Sequence, residues 1–302
     1  MNNILVTGAS GFVGTNLTSY LIRSGYNIVN ISRTELSEEL SIRKINSIIH
    51  LAGKAHDLKK TANPDEYYKV NFELTKKLYD TFLESDAQKF IFISSVKSAA
   101  DTVNGELTEE VIPNPKTHYG KSKLMAEEYI QKQCLPNGKS FYILRPCMIH
   151  GPGNKGNLSL LYKMVNKGFP YPLAAFHNKR SYLSIENLSF VINALLEKNV
   201  ASGIYNVADD KAISTNDVIS ILAATMNRKL RLWALPIPLI KTIASAGDLL
   251  KLPLNSERLE KLTENYVVSN QKIKQALGEG LPIDVKQGLS LTAKSFKSTS
   301  SD

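Results

Sequence analysis

The chain has 302 residues, 43% of them hydrophobic and 22% charged, which excludes a disordered or fibrous protein and fits one large folded unit or a large and a small one. Its two cysteines, Cys134 and Cys147, have neither metal-ligand nor redox spacing, so a disulfide framework is excluded, a reducing cytoplasm is the expected setting and no metal is expected. The net charge of +9 attracts phosphorylated ligands, but the cations are scattered and no nucleic-acid motif accompanies them, so nucleic acid is not an expected partner.

The N-terminus lacks the basic start and cleavage site of a signal peptide. Its apolar run Asn3–Thr7 reads as a first strand, and a helical pattern follows to Ser24, ended by Gly25. Further β-rich runs lie at Asn27–Ile31 and at residues 47–51, 89–94 and 141–144. Helical spacing marks residues 64–85 and 119–133 between them. Strands alternating with helices indicate βαβ units and a parallel sheet.

Beyond Gly151 the pattern loosens, with helices expected over residues 158–167, 186–197 and 215–226 and a short strand at Gly203–Val207. The expected fold is α/β: a Rossmann-type doubly wound parallel sheet over residues 1–150, then a smaller mixed α/β substrate lobe over residues 151–296. The chain of that lobe can cross back to the first domain, and residues 297–302 read as a disordered polar tail. The most apolar late stretch, residues 230–254, is interrupted by Pro236, Pro238, Lys241 and Asp248. A membrane span needs roughly 20 mostly apolar residues, so the stretch is a buried helix pair at most, with no integral membrane segment expected and peripheral membrane contact left open.

The run Thr7-Gly8-Ala9-Ser10-Gly11-Phe12-Val13-Gly14 joins the first strand to the first helix. Gly8 allows a tight turn, Gly11 the close approach of a pyrophosphate, and Gly14 close packing of helix on sheet, while the helix N-terminus offers free N–H groups. The position of this turn at the first strand–helix junction makes dinucleotide binding the expectation, with Gly8, Ser10, Gly11, Phe12, Val13 and Gly14 at the cofactor. After the second strand, Ser32 and Arg33 occupy the place where an NAD site usually carries an acid for the ribose 2′-hydroxyl. A hydroxyl and a guanidinium suit a 2′-phosphate, so NADPH is favoured over NAD, the other reading being an exposed loop arginine.

Tyr119 and Lys123 open the helix over residues 119–133, and positions i and i+4 share a face. A cation there favours tyrosinate and is expected to lower the phenol pKa, so that Tyr119 exchanges a proton with a substrate oxygen while hydride moves to or from nicotinamide. The fourth strand ends in Ser94 and Ser95, which should face a cleft at the carboxyl ends of the strands, Ser95 holding the same oxygen. A serine pair capping the next turn is the plainer alternative.

These landmarks, with residues 49–53 (Ile-His-Leu-Ala-Gly), Val70-Asn71, residues 92–95, Leu144-Arg145-Pro146 and residues 149–153, resemble the extended short-chain dehydrogenases/reductases, in the nucleotide-sugar epimerase/dehydratase group. The resemblance covers the chain from Asn3 to about Leu291. It implies that Tyr119 is the acid/base, that Lys123 binds the ribose and that Ser95 is the catalytic hydroxyl. It further implies that Leu51, Ala52, Gly53, Asn71 and Pro146 lie at the cofactor, and that Arg180 and Asn157 meet a UDP-sugar, Arg180 gripping its diphosphate. A homodimer paired through the helices at residues 64–85 and 119–133 is also implied, as is a place in polysaccharide synthesis. The chain departs from the group in lacking the acid after the second strand, in the short 34–46 connection where a further strand is usual, and in Val96-Lys97 where the 4,6-dehydratases carry Asp-Glu, which argues against water elimination.

Residues 149–157 and 178–181 also resemble reductases of UDP-4-keto-6-deoxy-N-acetylhexosamines. The leading expectation is therefore an NADPH-dependent 4-ketoreductase, with a UDP-hexose 4-epimerase holding NAD as alternative. A non-catalytic dinucleotide sensor would not be expected to keep the Tyr/Lys pair. His118 reads as a helix-start surface residue before a second acid, His150 as a packing residue, Cys147 as an inert buried thiol and Lys97 as a solvated lysine; His56 is equally a loop residue or a substrate contact.

Overall fold

A computed structural model of the chain describes residues 2–31, 44–54, 63–154, 157–250 and 255–298. Six parallel strands form the central sheet: β1 (Asn3–Thr7), β2 (Asn27–Ile31), β3 (Ser47–His50), β4 (Lys89–Ile93), β6 (Ser140–Pro146) and β9 (Gly203–Val207). Their order across the sheet is β2-β1-β3-β4-β6-β9. The chain leaves β1 for β2 on one side and returns to β3 on the other, which creates a crevice at the carboxyl ends of β1 and β3.

Alternate side chains of each strand enter different helix layers, the period of two that a sheet imposes. Ile91 and Ile93 of β4 pack with Leu17, Leu21, Leu188 and Val191, from the helices Phe12–Arg23 and Ile185–Glu197. Phe90 and Phe92 pack on the other face with Leu78, Phe82, Ala126 and Ile130. Near-continuous burial of β3 and β4 follows from having helices on both faces. The sheet is doubly wound, as the sequence pattern implies.

Three features depart from the sequence reading. Gly203–Val207 does not lie among the second lobe's helices; it pairs with β6 from Tyr142↔Gly203 to Pro146↔Val207 and extends the main sheet, and the helix Ile185–Glu197 lies against Phe12–Arg23. The chain thus crosses back to the sheet after residue 151. The helix expected over residues 64–85 is Pro64–Tyr68, a π-helical turn Lys69–Glu73, and Leu74–Glu84. Finally, among the described residues 230–250 there is one helix, and it is not buried as a unit. Their helix Ile237–Leu250 buries only Ile240, Ala244 and Gly247 and leaves most of its aliphatic side chains in solvent.

The second core gathers Leu158 and Tyr162 of the helix Asn157–Asn166, Val218 and Leu222 of Thr215–Thr225, Ile240 and Ala244, Leu259 of Ser256–Thr263, and Leu289 of Val285–Ser298. Two short parallel pairs, β7 (Met148–His150) with β8 (Tyr182–Ser184) and β5 (Glu106–Leu107) with β10 (Val267–Val268), connect this lobe to the carboxyl side of the sheet. Lys297 and Ser298, expected in the polar tail, belong to the final helix; residues 299–302 lie outside the described residues. Among the described residues, no helix is long and apolar enough to cross a membrane.

Candidate active site

The turn after β1 is shaped for a ligand without side chains. Gly8 has φ +72°, and a Cβ on it would sit 2.8 Å from the Ala52 nitrogen. A Cβ on Gly14 would lie 2.3 Å from the Gly8 carbonyl oxygen, so only glycine lets the helix Phe12–Arg23 begin this close to the strand. Its N-cap, Gly11, offers no side-chain cap, and no acid stands in its first turn. Free N–H groups and the helix dipole there suit a pyrophosphate. Ser10 and Gly11 are exposed, Phe12 and Val13 half-buried, and the Phe12 ring approaches Gly151 and Gly153 across the crevice.

The loop after β3 forms the next wall. The Ala52 N–H donates to Thr7 Oγ1 at 3.1 Å, and Leu51, Ala52 and Gly53 are half-buried beside the glycine turn. Beneath them His50 bridges Thr7 Oγ1 at 2.6 Å and Thr75 Oγ1 at 2.9 Å. The Thr75 hydroxyl donates to the Asn71 carbonyl, so its oxygen accepts from His50 Nε2–H and His50 Nδ1 accepts from Thr7. Burial of this neutral imidazole, with Lys123 nearby, pulls its pKa down to about 3.

Asn71, fully buried in the π turn, uses its side chain locally. Its Oδ1 accepts from the Lys54 N–H at 2.7 Å, and its Nδ2 donates to the Lys54 carbonyl at 3.1 Å and to Ser122 Oγ at 3.0 Å. Both amide donors are occupied, so Asn71 fastens the cofactor loop to the catalytic helix. The extra residue of a π turn aims it there, a use such turns often have near functional sites.

The helix His118–Lys132 starts on the Thr117 cap, whose hydroxyl accepts from the Gly120 N–H at 3.1 Å. A Cβ on Gly120 would stand 2.4 Å from the Lys97 carbonyl oxygen and 2.7 Å from Pro115 Cβ. The helix can therefore rest directly on the turn Val96–Ser98, and Tyr119 shares a side-chain hydrogen bond with Ser95. Lys123 is buried one turn on; its ammonium donates to the Ile93 carbonyl at 2.9 Å, lies over the Phe92 ring, and is within 3.2 Å of where a Gly53 side chain would begin. Tyr67 meets the Tyr119 ring edge-on, with centroids 6.3 Å apart.

Electrostatics correct one expectation. Burial raises the Tyr119 phenol above its ordinary value against the lowering effect of Ser95, with Glu127 and Tyr67 adding to the rise. The Lys123 charge is engaged by the Ile93 carbonyl, and burial takes its ammonium down to about 8 while Glu127 pulls the other way. The free protein thus keeps Tyr119 protonated, ready to give a proton.

Ser94 is also placed differently from its expected position in the cleft. It is buried and donates to Glu127, as does Ser98 at 2.6 Å. Glu127 is itself gripped by Arg145, with Nε 3.1 Å from both carboxylate oxygens and Nη2 2.5 Å from one. Sequence reasoning missed this pair, although Glu127 continues the spacing of Tyr119 and Lys123 by another four residues.

Pro146 ends β6 beside Val207, at the cleft's floor. Arg180 pairs by backbone with Ile213 and Tyr266, and its guanidinium lies 3.3 Å from Glu264. Tyr266 connects this segment to the catalytic turn: its hydroxyl donates to the Ala100 carbonyl at 2.7 Å, and its ring lies under the Lys97 ammonium at 4.2 Å. Lys97 is thus not simply solvated; it also donates to the Asp101 carbonyl. Asn157 opens the helix Asn157–Asn166, and its side chain lies outside the described set, as do Ser32, Arg33 and His56. His118 pairs with the Tyr68 hydroxyl at 3.0 Å, His150 with Thr292 at 2.9 Å, and burial raises the Cys147 thiol well above its usual value.

A glycine turn for a dinucleotide, with Tyr119, Lys123 and Ser95 at the carboxyl edge of a doubly wound sheet, defines an enzyme of the short-chain dehydrogenase/reductase class. Within it, the chain belongs to the NAD dependent epimerase/dehydratase family, whose profile matches residues 4–208. Over 97% of its length it is 31% identical to a UDP-glucose 4-epimerase of Vibrio cholerae, covering 95% of that protein. Over 96% it is 28% identical to an Escherichia coli O157:H7 N-acetyl-α-D-glucosaminyl-diphospho-ditrans,octacis-undecaprenol 4-epimerase, covering 94% of it. The structure of RMD from Pseudomonas aeruginosa complexed with NADPH superposes with a TM-score of 0.76 at 21% identity, over 99% of this chain and all of that one.

Proposed function

We propose that this enzyme interconverts the configuration at C4 of a hexose carried on a diphosphate, as a UDP-hexose 4-epimerase. The observation that carries the C4 chemistry is the hydrogen-bonded Ser95–Tyr119 pair, with Lys123 one turn below it and Gly53 beside it. The choice of epimerase over the reductase expected from the sequence rests on the two relatives aligned over nearly the whole chain, both named as 4-epimerases.

The glycine cradle and the acid-free helix start fit a dinucleotide, which supplies the nicotinamide that takes and returns hydride at C4. Gly8, Gly11 and Gly14 would hold its pyrophosphate, with Ser10, Phe12 and Val13 around it and Leu51, Ala52, Gly53 and Pro146 along its path. Tyr119, protonated in the free protein, would first give up that proton; as tyrosinate it takes the proton of the C4 hydroxyl as the carbonyl forms, and it returns it to the same oxygen when hydride comes back to either face of the carbon. Ser95 holds that oxygen in place, and Lys123 keeps a positive charge beneath the phenol. Arg180, released from Glu264, would meet the diphosphate. Copies of the chain would pair through the helices of residues 64–84 and 118–132, where Met125 is exposed.

The test incubates the purified enzyme with UDP-glucose and with UDP-N-acetylglucosamine, without added reductant, and identifies the nucleotide released on denaturation. Retained NAD and equilibration of the C4 epimers support the proposal, with Tyr119→Phe slowing turnover by about a hundredfold or more. An empty site that prefers NADPH, with consumption of NADPH on a 4-keto sugar, replaces it by the reductase reading, which the Ser32-Arg33 pair in the sequence favours.

A further inference from the structure

The second lobe carries a surface that the proposed chemistry does not use. The sequence contains no Asp or Glu between Glu128 and Glu186, and none between Asp217 and Asp248. The fold brings these two acid-free stretches side by side. Tyr171 pairs with Leu232 and Leu173 with Ala234, the Tyr171 N–H donates to the Arg231 carbonyl at 2.9 Å, and the Arg231 guanidinium donates to the Gly168 carbonyl at 3.1 Å. Along this seam Phe169 is 61% and Trp233 55% exposed, among the exposed cations Lys167, Arg228, Lys229 and Arg231.

The chain then enters the helix Ile237–Leu250. Its exposed residues Leu239, Ile243, Ala246 and Leu250 recur at helical spacing and form one apolar stripe next to the buried stripe of Ile240, Ala244 and Gly247. The helix's two charges, Lys241 and Asp248, are seven residues apart and fall on the opposite side. An aromatic and aliphatic surface bordered by cations, with Asp248 turned to the helix's other side, is the composition that settles into an anionic bilayer interface.

We propose that this face, centred on Trp233 and the Leu239–Ile243–Leu250 stripe, docks the enzyme on membranes of anionic lipid. Trp233 sits at the headgroup level, the stripe reaches the acyl boundary, and Arg228, Lys229 and Arg231 meet lipid phosphates. Charge decides for lipid over a second copy of the chain. A two-fold contact would set this cationic face against itself, with no acid from either stretch to pair with it. The proposal is independent of whether the enzyme is an epimerase or a reductase.

The test is flotation of the full chain with vesicles of phosphatidylcholine and phosphatidylglycerol in equal parts, and with vesicles of phosphatidylcholine alone. Binding to the mixed vesicles, weakened by salt and near absent on the neutral ones, is the expected result. The exposed double variant W233S/L250S should keep its thermal midpoint and bind at least about tenfold more weakly, and R228Q and K229Q should each cost about fivefold. No flotation with mixed vesicles, or equal flotation of W233S/L250S, overturns the proposal. So does a wild-type dimer in sedimentation that W233S/L250S dissociates, since that gives the face to a second copy.

Discussion

Replacing Gly120 by alanine adds one methyl group where the catalytic helix rests on the turn after Ser95. The new Cβ would lie 2.4 Å from the Lys97 carbonyl oxygen and 2.7 Å from Pro115 Cβ, partners held by backbone and by a proline ring. Neither can turn aside, so the helix must retreat from the turn by roughly 1 Å to reach ordinary contact. Alanine gains up to about 1 kcal/mol over glycine in a helix interior, whereas overpacking costs about 1–3 kcal/mol. A net destabilisation of up to about 2 kcal/mol is expected from those two terms. The functional effect should be larger, because the retreat parts Tyr119 from Ser95, and a misplacement of about 1 Å can cost about a hundredfold in rate. Turnover, dinucleotide affinity and the thermal midpoint of G120A should be measured together. Turnover lowered about a hundredfold with dinucleotide affinity retained agrees with this geometry; turnover within a few-fold of wild type refutes it.

Glu127→Gln leaves the Arg145 guanidinium buried without its counter-charge, and unfolding measurements should show a loss of about 3–5 kcal/mol; a change too small to resolve would mean that the pair is not buried as described. Gly14→Ala should abolish dinucleotide binding in titration, since its Cβ would lie 2.3 Å from the Gly8 carbonyl oxygen, while intact binding would void the cradle. His50 stays neutral in the folded protein down to about pH 3, whereas it takes up a proton near its ordinary pKa of 6.5 once unfolded. Its contribution is therefore complete above pH 6.5 and is lost as pH falls towards 3, by up to about 5 kcal/mol. Thermal midpoints of His50→Asn, which cannot titrate, should fall less steeply with acid than those of wild type, and parallel curves would contradict this.

The phosphate turn and the first four strands of the sheet were legible because local signals coincided there: apolar runs, glycines whose Cβ would strike backbone, and a helix opening straight after. Tyr119 and Lys123 were readable because their spacing follows the glycine turn and the serine-ended strand in chain order. Gly203–Val207 was not assignable to its sheet, since five residues do not name their partner; only packing against β6 does. Ser94 and Ser95 look alike in sequence, and one is turned inward by a carboxylate 33 residues further along the chain, at Glu127. The expected lowering of the Tyr119 pKa failed because spacing locates a cation without showing that the phenol is buried, which raises it, or that a carbonyl already engages the ammonium. The aliphatic content of residues 230–254 bounds the stretch at a buried helix pair, and how much of the helix Ile237–Leu250 is covered depends on which stripe faces the lobe.

The buried Glu127–Arg145 pair has a role that stability alone does not explain. Desolvating both charges consumes most of what their attraction returns, and such pairs are often replaceable by apolar side chains without loss. What they retain is direction. Three hydroxyls lie close together after β4, and Glu127 accepts from Ser94 and Ser98, which leaves Ser95 for Tyr119. Glu127 stands on the same helix stripe as Tyr119 and Lys123, and Arg145 projects from β6, next to β4 in the sheet. The pair therefore fixes the rotation of the catalytic helix against the strands that carry Ser95. On this argument, an apolar pair of equal volume at Glu127 and Arg145 can restore the thermal midpoint without restoring turnover, because Ser94 and Ser98 would then be free to compete for the phenol. Turnover restored together with the midpoint would show that the pair only fills space.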